Sequence, residues 1–259
     1  MSFVKEFARQ EPPAHAAGTF ETAALARIEE LLPPSMERSV ETGCGKSTIL
    51  FSNLSAHHTV FCTDDRSDQQ SSVRYFESHP LTRKERIHCV FGPSQRTLPQ
   101  YSPPGPFDCV LLDGPHGYPF PELEYYFLYP HLRPGGILIV DDVHIPTIGR
   151  MADILQEDAM FELVEVVTTT AVFRRTDSPA LDPTGDGWWT QLFNRRRIPE
   201  SWEFHCGDGK RQPPFAQRFP GPTLPAPAPT APAGPVPVPV LHGIRPRLRR
   251  AARVLLIGR

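Results

Sequence analysis

The sequence predicts an α/β, Rossmann-like fold, with a mostly parallel sheet of seven strands and helices on both faces. Three observations support this prediction. Short apolar runs alternate with helical patterns, glycines follow the first run, and acidic residues follow several later runs. Apolar runs separated by helices are typical of a parallel sheet that is covered on both sides. The 259 residues are enough for one such domain with extensions, and a core of that size needs no disulfides.

The first predicted element of the domain is a helix in FETAALARIEELLPP, which the two prolines end. Its apolar residues share one helical face: Ala24, Leu25, Ile28, Leu31 and Leu32. Five predicted parallel strands follow: SVETG, TVFCTD, IHCVFG, FDCVLLDG and GGILIVDD. A helical pattern, IGRMADILQEDA, then leads to FELVEVVTTT and AVFRR, whose short link predicts a terminal hairpin-like pair.

The glycine-containing stretch SVETGCGKST ends like a nucleotide-binding P-loop. A P-loop needs a glycine where this chain has Val40, so the sequence disfavours an NTPase. The other interpretation is a strand that ends at Glu41, a turn at Gly43 and Gly45, and a helix that starts at Ser47. Glycines in a first strand-to-helix turn let the backbone approach a ligand closely. We therefore predict a ligand site at this turn.

An acidic residue about 20 positions after such a turn is expected to meet ribose hydroxyls. The segment HTVFCTDD supplies two candidates, Asp64 and Asp65, at the end of the next predicted strand. A lone pair of glycines is a weak signal. Here the strand, the turn, the helix and the acid occur in the expected order, which favours a nucleoside-containing cofactor.

Three carboxylates follow two other predicted strands, since Asp113 ends one of them and Asp141 and Asp142 end the next. Ligands of open α/β sheets bind beyond the carboxyl ends of the strands, so the three are expected in one cleft. They repel one another unless a proton or a cation intervenes, and an all-oxygen set suits Mg²⁺ or another divalent cation. The alternative is that one aspartate caps a helix and another binds a backbone amide. We favour the metal site.

Two histidines lie close to these aspartates in the sequence. His116 is three residues after Asp113, and His144 is two residues after Asp142. A neutral imidazole beside a metal site can accept a proton from a hydroxyl near neutral pH. The alternatives are a hydrogen-bonded loop residue for His116 and a packing or metal-neighbouring residue for His144. Both are candidate catalytic residues, and we favour His116 as the base.

The composition favours a soluble cytoplasmic protein. The formal net charge of -2 gives no global reason to expect a nucleic acid partner. The first residues lack the apolar stretch of a secretory signal, and no window approaches the roughly 20 apolar residues of a membrane span. The five cysteines match no zinc-ligand spacing. Cys62, Cys89 and Cys109 lie inside predicted strands, as core residues of a protein in a reducing compartment would.

The predicted organisation is an N-terminal extension over 1–19, the α/β domain over 20–176 and an extension or lid over 177–211. Residues 212–240 are rich in proline and predict a disordered, polyproline-like linker. Residues 241–259 carry six arginines and no acid. This basic segment is either a solubilising tail or a site for an anionic membrane surface, nucleic acid or an acidic partner. No specific nucleic acid is expected.

The motifs resemble those of class I S-adenosylmethionine-dependent methyltransferases over about residues 20–175. ETGCGKST is similar to their motif I, whose glycine loop lies under the methionine part of the cofactor. GPSQRTLPQ resembles a loop of catechol O-methyltransferases in which a serine-glutamine pair borders the adenine. LLDG and VDD resemble the Mg²⁺-binding positions of that group. The stretch from DGPHGY to LYPHLRPGGILIVDD is more similar still to macrocin-type sugar O-methyltransferases.

This resemblance implies the class I methyltransferase sandwich, S-adenosylmethionine as cofactor and a set of site residues. Asp64 or Asp65 would bind the ribose, and Ser94 and Gln95 would lie near the adenine. The predicted cofactor-binding residues are Glu41, Gly43, Gly45, Asp64, Asp65, Ser94, Gln95 and Asp113. The predicted metal ligands are Asp113, Asp141 and Asp142, with His116 as the base.

The chain also departs from the catechol enzymes. Its glycine loop is shorter, an aspartate replaces their metal-binding asparagine, and their last substrate-binding carboxylate has no clear counterpart. The predicted function is Mg²⁺-assisted O-methylation of a small-molecule hydroxyl on a sugar, another vicinal diol or a catechol. The alternative is a non-catalytic methyltransferase-like module that is tethered to an assembly or a membrane. Either type of protein can form an oligomer.

Overall fold

The computed structural model describes residues 3–10, 20, 22–68 and 70–197. The linker predicted over 212–240, the basic segment predicted over 241–259 and the end of the predicted extension or lid lie outside the described residues. These three expectations stay predictions.

Seven strands of the described residues form a single sheet in the order β3-β2-β1-β4-β5-β7-β6. They are β1 (Met36–Thr42), β2 (Ser55–Cys62), β3 (Ile87–Phe91), β4 (Phe107–Leu112), β5 (Leu132–Val140), β6 (Phe161–Val167) and β7 (Thr170–Arg175). The first five strands are parallel, and β7 runs antiparallel to both β5 and β6. The predicted sheet, including its terminal hairpin, is therefore confirmed.

The α-helices of the described residues alternate with the strands. They are α1 (Phe3–Gln10), α2 (Thr22–Leu31), α3 (Lys46–Leu54), α4 (Ser72–Ser78), α5 (Ser94–Thr97), α6 (Phe120–Leu128), α7 (Pro146–Glu157) and α8 (Leu192–Arg197). Helix α2 buries Ala24, Leu25 and Ile28, which are members of the predicted apolar face. The helix predicted to precede the sheet is therefore confirmed.

Strand β4 explains why the central runs are mostly apolar. All six of its residues are buried. Its side chains alternate between two core clusters, with Val110 and Leu112 on one face of the sheet and Cys109 and Leu111 on the other. Helices cover both faces, so neither set of side chains meets water. The sheet is the middle of three layers.

The cysteines predicted to be core residues lie in the sheet. Cys62 and Cys109 are buried, Cys89 is partly buried, and all three are free thiols. Burial raises the pKa of the Cys109 thiol well above its usual value, which disfavours the thiolate.

The described part of the predicted extension or lid lies against α6 and α7. The Tyr129 hydroxyl donates to the Leu181 carbonyl, and the Tyr126 hydroxyl donates to the Pro183 carbonyl, each over 2.9 Å. Further along, the guanidinium of Arg197 lies 3.6 Å from the centre of the Phe193 ring and also pairs with Glu157 on α7. These contacts hold the segment on the helical layer.

Within the part of the chain that the structure describes, every helix is too short or too polar to cross a lipid bilayer. The cytoplasmic location stays a prediction.

The buried centre of the sheet gives a test of the fold. Ile139 on β5 is fully buried, whereas Val166 on the edge strand β6 is 51% exposed. We expect Ile139→Ala to lower the free energy of unfolding by about 2–5 kcal/mol, through lost burial and a residual cavity. We expect Val166→Ala to change it by less than about 0.5 kcal/mol. Urea unfolding followed by circular dichroism measures both, and equal losses would contradict the described layering.

Candidate active site

The carboxyl ends of the parallel strands open into a cleft of about 390 Å³. Loops after β1, β2, β3 and β4 contribute its walls, as expected for an open α/β sheet. Predicted site residues that line it are Gly43, Asp65, Ser94, Gln95, Asp113 and His116. Residues predicted from four separate sequence segments therefore meet in one place.

Gly43 sits where the loop after β1 meets the end of β4. Its φ of +82° lies in the left-handed region, and a Cβ there would stand 2.1 Å from the carbonyl oxygen of Asp113. Its N–H donates to the Phe61 carbonyl over 2.9 Å, which fixes the loop against β2. Any side chain at this position would push the β1 and β4 loops apart. The absence of a side chain at Gly43 thus lets the loop after β1 pack directly against the end of β4.

Glu41 was predicted to bind the cofactor, but the structure places it below the cleft. Its side chain is fully buried. It accepts a hydrogen bond from the Thr48 hydroxyl on α3, and the Nε2 of buried His58 lies 3.3 Å from its Oε1. A ligand in the cleft cannot reach this carboxylate without rearrangement of the loop. Glu41 instead anchors the start of α3 under the glycine turn.

The structure separates the two candidates for the ribose acid. Asp65 lines the cleft, whereas Asp64 is 48% exposed and pairs with Arg66 at 2.8 Å. The Asp65 carboxylate also accepts hydrogen bonds from the Ser71 hydroxyl and from the N–H groups of Ser72 and Val73 at the start of α4. Burial acts to raise the Asp65 pKa, but these hydrogen bonds outweigh it and lower the pKa. Asp65 is therefore ionised and fixed at the cleft wall.

Ser94 and Gln95 begin the short helix α5 after β3, and both line the cleft. Ser94 is buried, with 7% of its surface exposed. The preceding Gly92 donates its N–H to the Cys62 carbonyl over 2.9 Å, which ties this loop to the end of β2. The predicted serine-glutamine pair thus forms the wall beside Asp65.

Asp113 connects the cleft with a second group of polar residues. Its backbone N–H donates to the Thr42 hydroxyl over 3.1 Å, so the ends of β1 and β4 are joined. Burial raises the pKa of its carboxyl to about 7, and the nearby Asp141 and Asp142 carboxylates add to this effect. A bound proton or a nearby cation would stabilise such a carboxyl group.

Asp113, His116 and Asp142 form the second group. Their ligand atoms all lie within 4.8 Å of one another, a spacing that a single metal ion can bridge. His116 Nε2 lies 3.2 Å from Asp142 Oδ2 and 3.8 Å from Asp113 Oδ1. The Asp113 carboxylate raises the pKa of His116. The described residues therefore bring two of the predicted metal ligands together with the predicted base.

Asp142 reaches this cluster through an unusual backbone conformation. Its φ is +56°, in the left-handed region that aspartate tolerates better than most residues. The turn directs Asp142 towards His116. The other end of the cluster is fixed by the Thr147 hydroxyl, which donates to the His116 carbonyl over 2.9 Å.

Asp141 and His144 lie outside this cluster. The Asp141 Oδ1 accepts a hydrogen bond from the Thr170 hydroxyl on β7 over 2.5 Å, and burial raises the pKa of the Asp141 carboxyl. His144 Nδ1 lies 3.6 Å from Asp142 Oδ1, and 58% of the imidazole is exposed. Asp141 is therefore next to the cluster only because it precedes Asp142 in the chain. His144 lies at the exposed side of the cluster, beside Asp142.

The sequence reasoning missed Glu124 on α6. This residue lines the cleft with 2% of its surface exposed, and burial raises the pKa of its carboxyl to about 7. Its neighbour in the sequence, Glu122, is a second acid in FPELEYYFL, so the pattern alone did not show which acid faces inward.

A family model described as a methyltransferase domain matches residues 40–143, which span the sheet from β1 to the end of β5. The mycinamicin VI 2''-O-methyltransferase of Micromonospora griseorubida is 38% identical over 52 residues, 19% of this chain and 13% of that relative. The demethylmacrocin O-methyltransferase of Streptomyces fradiae is 41% identical over 39 residues, 15% of this chain and 10% of that relative. The chain thus matches only a small part of these curated relatives.

Among solved structures, a candidate caffeoyl-CoA O-methyltransferase of Staphylococcus aureus is similar to this chain with a TM-score of 0.51 and 13% identity. The similarity covers 66% of this chain and 90% of that one, and at this identity it concerns the fold. The sheet order, the cleft at the strand ends and the family match agree with one another. Over residues 40–143 the chain is therefore similar to methyltransferase domains.

Proposed function

We propose that the protein transfers a methyl group from S-adenosylmethionine to a hydroxyl of a small molecule, with a divalent cation at the acceptor. One observation carries the proposal. Asp113 belongs both to the wall of the cleft and to the carboxylate–histidine cluster, so a donor in the cleft and an acceptor at the cluster would be neighbours. Alignment of two reactants can lower a barrier by roughly 7 kcal/mol or more.

The cleft supports the donor side of this proposal. The backbone at Gly43 has no side chain to keep a ligand away, which suits the methionine part of the donor. The ionised Asp65 suits ribose hydroxyls, because a carboxylate accepts the hydrogen bonds that two neighbouring hydroxyls donate. Ser94 and Gln95 line the same cleft, as expected for residues beside the adenine.

The cluster supports a metal at the acceptor side. Mg²⁺ prefers carboxylate oxygens, so Asp113 and Asp142 are the proposed protein ligands, and Asp141 is a further one if its side chain releases Thr170. The raised pKa of Asp113 fits this assignment, because a cation would relieve the repulsion among these acids. A bound Mg²⁺ would lower the pKa of a chelated hydroxyl and favour two vicinal oxygens over one.

His116 is the proposed base. Asp113 and Asp142 favour a proton on His116, and a cation held by these two carboxylates would oppose that effect, so the imidazole would be neutral and able to accept the proton of the acceptor hydroxyl. The imidazole is 44% exposed, so it can pass the proton on to solvent. The Thr147 hydrogen bond to the His116 carbonyl holds the loop in place. His144 lies beside Asp142 and is a proposed neighbour of the acceptor.

For the acceptor we propose a sugar, another vicinal diol or a catechol-like molecule. The names of both curated relatives specify O-methylation, and these relatives are 38% and 41% identical in the matched stretches. The alternative of a non-catalytic binding module is less favoured, because the cleft adjoins a cluster that holds two of the predicted metal ligands and the predicted base. The membrane surface or acidic partner proposed for the basic segment concerns residues outside the described part.

The metal proposal predicts the behaviour of Asp142→Asn. We expect this change to lower kcat at least about 100-fold, because it removes a charged metal ligand, while affinity for S-adenosylhomocysteine changes less than about threefold. Transfer of a labelled methyl group to a panel of sugars and catechols, with Mg²⁺ and then with EDTA, measures this. Asp153→Asn, which removes an exposed carboxylate from α7, is the matched control. Equal turnover in EDTA would refute the metal role.

The cofactor proposal predicts the behaviour of Gly43→Ala. The new Cβ would collide with the Asp113 carbonyl, so we expect affinity for S-adenosylhomocysteine to fall at least about tenfold. Gly105→Ala is the control, because a Cβ there meets only the flexible Arg38 side chain at 3.4 Å or beyond. Calorimetry measures both variants. Unchanged affinity in Gly43→Ala would show that the donor binds elsewhere.

A further inference from the structure

Glu124 is a buried acid whose partners lie at the ends of the strands that form the cleft. It belongs to α6, which follows β4, and only 2% of its surface is exposed. A buried carboxylate is costly unless other groups donate hydrogen bonds to it. The groups that surround the Glu124 carboxylate are therefore the evidence for its role.

The first partner is the hydroxyl of Thr42, the last residue of β1. Thr42 Oγ1 donates to Glu124 Oε2 over 2.7 Å, and the bond is buried. The same oxygen accepts the backbone N–H of Asp113 over 3.1 Å. A continuous path therefore runs from Glu124 through the Thr42 hydroxyl to the backbone of Asp113.

The second contact is with Gly114, the residue after Asp113. A Cβ at Gly114 would stand 2.0 Å from Glu124 Oε1, so the loop after β4 lies directly on this carboxylate. Glu124 thus reaches the loop from below on one side of Asp113, and Thr42 holds its N–H on the other. Both contacts act on the backbone that carries the Asp113 side chain.

We propose that Glu124 is a positioning residue. Through Thr42 and Gly114 it holds the backbone of Asp113 in the position in which Asp113 belongs to both the cofactor cleft and the carboxylate–histidine cluster. The functional half of this inference rests on the proposed methyl transfer. Glu124 itself is not assigned a contact with the donor or the acceptor. An ordinary packing residue in its place would fill the same space without fixing the Asp113 amide.

Thr42→Val and Thr42→Ser separate the two roles. Valine matches the shape of threonine but leaves both the Asp113 N–H and Glu124 Oε2 without their partner, whereas serine keeps the hydroxyl. We expect amide hydrogen exchange in residues 112–117 of the ligand-free protein to rise at least about tenfold in Thr42→Val, as for a lost buried hydrogen bond. Exchange in Thr42→Ser should stay within about twofold of the starting protein.

Glu124→Leu is the second variant and should raise exchange in the same segment as Thr42→Val does. Glu122→Gln is the matched control, because Glu122 lies on the same helix but lines a separate pocket with Tyr126 and Asp158. We expect exchange near Asp113 to be unchanged in this control. Unchanged exchange in both Thr42→Val and Glu124→Leu would overturn the positioning role, and so would an equal rise in Glu122→Gln.

Titration with S-adenosylhomocysteine then tests the functional half. We expect affinity to fall at least about tenfold in Thr42→Val and to recover in Thr42→Ser. Faster exchange with unchanged affinity in Thr42→Val would overturn the link between Glu124 and the cofactor site. Failure of the starting protein to bind this ligand would instead refute the proposed function, and the exchange data would still decide whether Glu124 positions Asp113.

Discussion

The close approach of Gly43 to the Asp113 carbonyl is the constraint on which the rest of the site depends. Parallel pairing places Thr42 opposite Leu112, so the chain leaves β1 and β4 at the same level of the sheet. At Gly43 the two loops are so close that an added Cβ would lie 2.1 Å from the Asp113 carbonyl oxygen. This packing therefore requires a residue without a side chain. The glycine loop after β1 and the aspartate of the cluster are therefore parts of one packed unit.

The raised pKa values of the acidic residues at the strand ends follow from this packing. The loop contact places the partly buried Asp113 near Asp141 and Asp142, and Glu124 contacts the same loop at Gly114. Burial raises the pKa values of Asp113, Asp141 and Glu124, and repulsion from neighbouring carboxylates adds to the rise at Asp113 and Asp141. A protonated imidazole or a divalent cation would each reduce the repulsion among these carboxylates. The repulsion among these carboxylates would favour cation binding at the cluster.

The fold could be predicted from the sequence because its strongest signals are local. Apolar runs such as FDCVLL have the length and composition of a strand that is buried on both faces. The placement of Asp65, Ser94 and Asp113 around one cleft also followed, since each lies within three residues of the end of a parallel strand. For these residues, strand direction alone determines the end of the sheet at which they lie.

Side-chain direction at the strand ends could not be predicted in this way. Glu41 and Asp141 both lie at strand ends where a ligand was expected. The structure pairs Glu41 with Thr48 on α3 and His58 on β2, and it pairs Asp141 with Thr170 on β7. The role of Glu124 depends on Thr42, which is 82 residues away along the chain. Such pairings arise only when separate elements pack, and the local pattern carries no trace of them.

The measurement that tests the central claim most directly is calorimetric titration of S-adenosylmethionine, and separately of ATP, into the purified protein with Mg²⁺ and with EDTA. We expect binding of S-adenosylmethionine at one site per chain under both conditions, because Gly43, Asp65 and Ser94 line the cleft outside the carboxylate–histidine cluster, and no comparable binding of ATP. Binding of ATP alone, or of neither ligand, would contradict it.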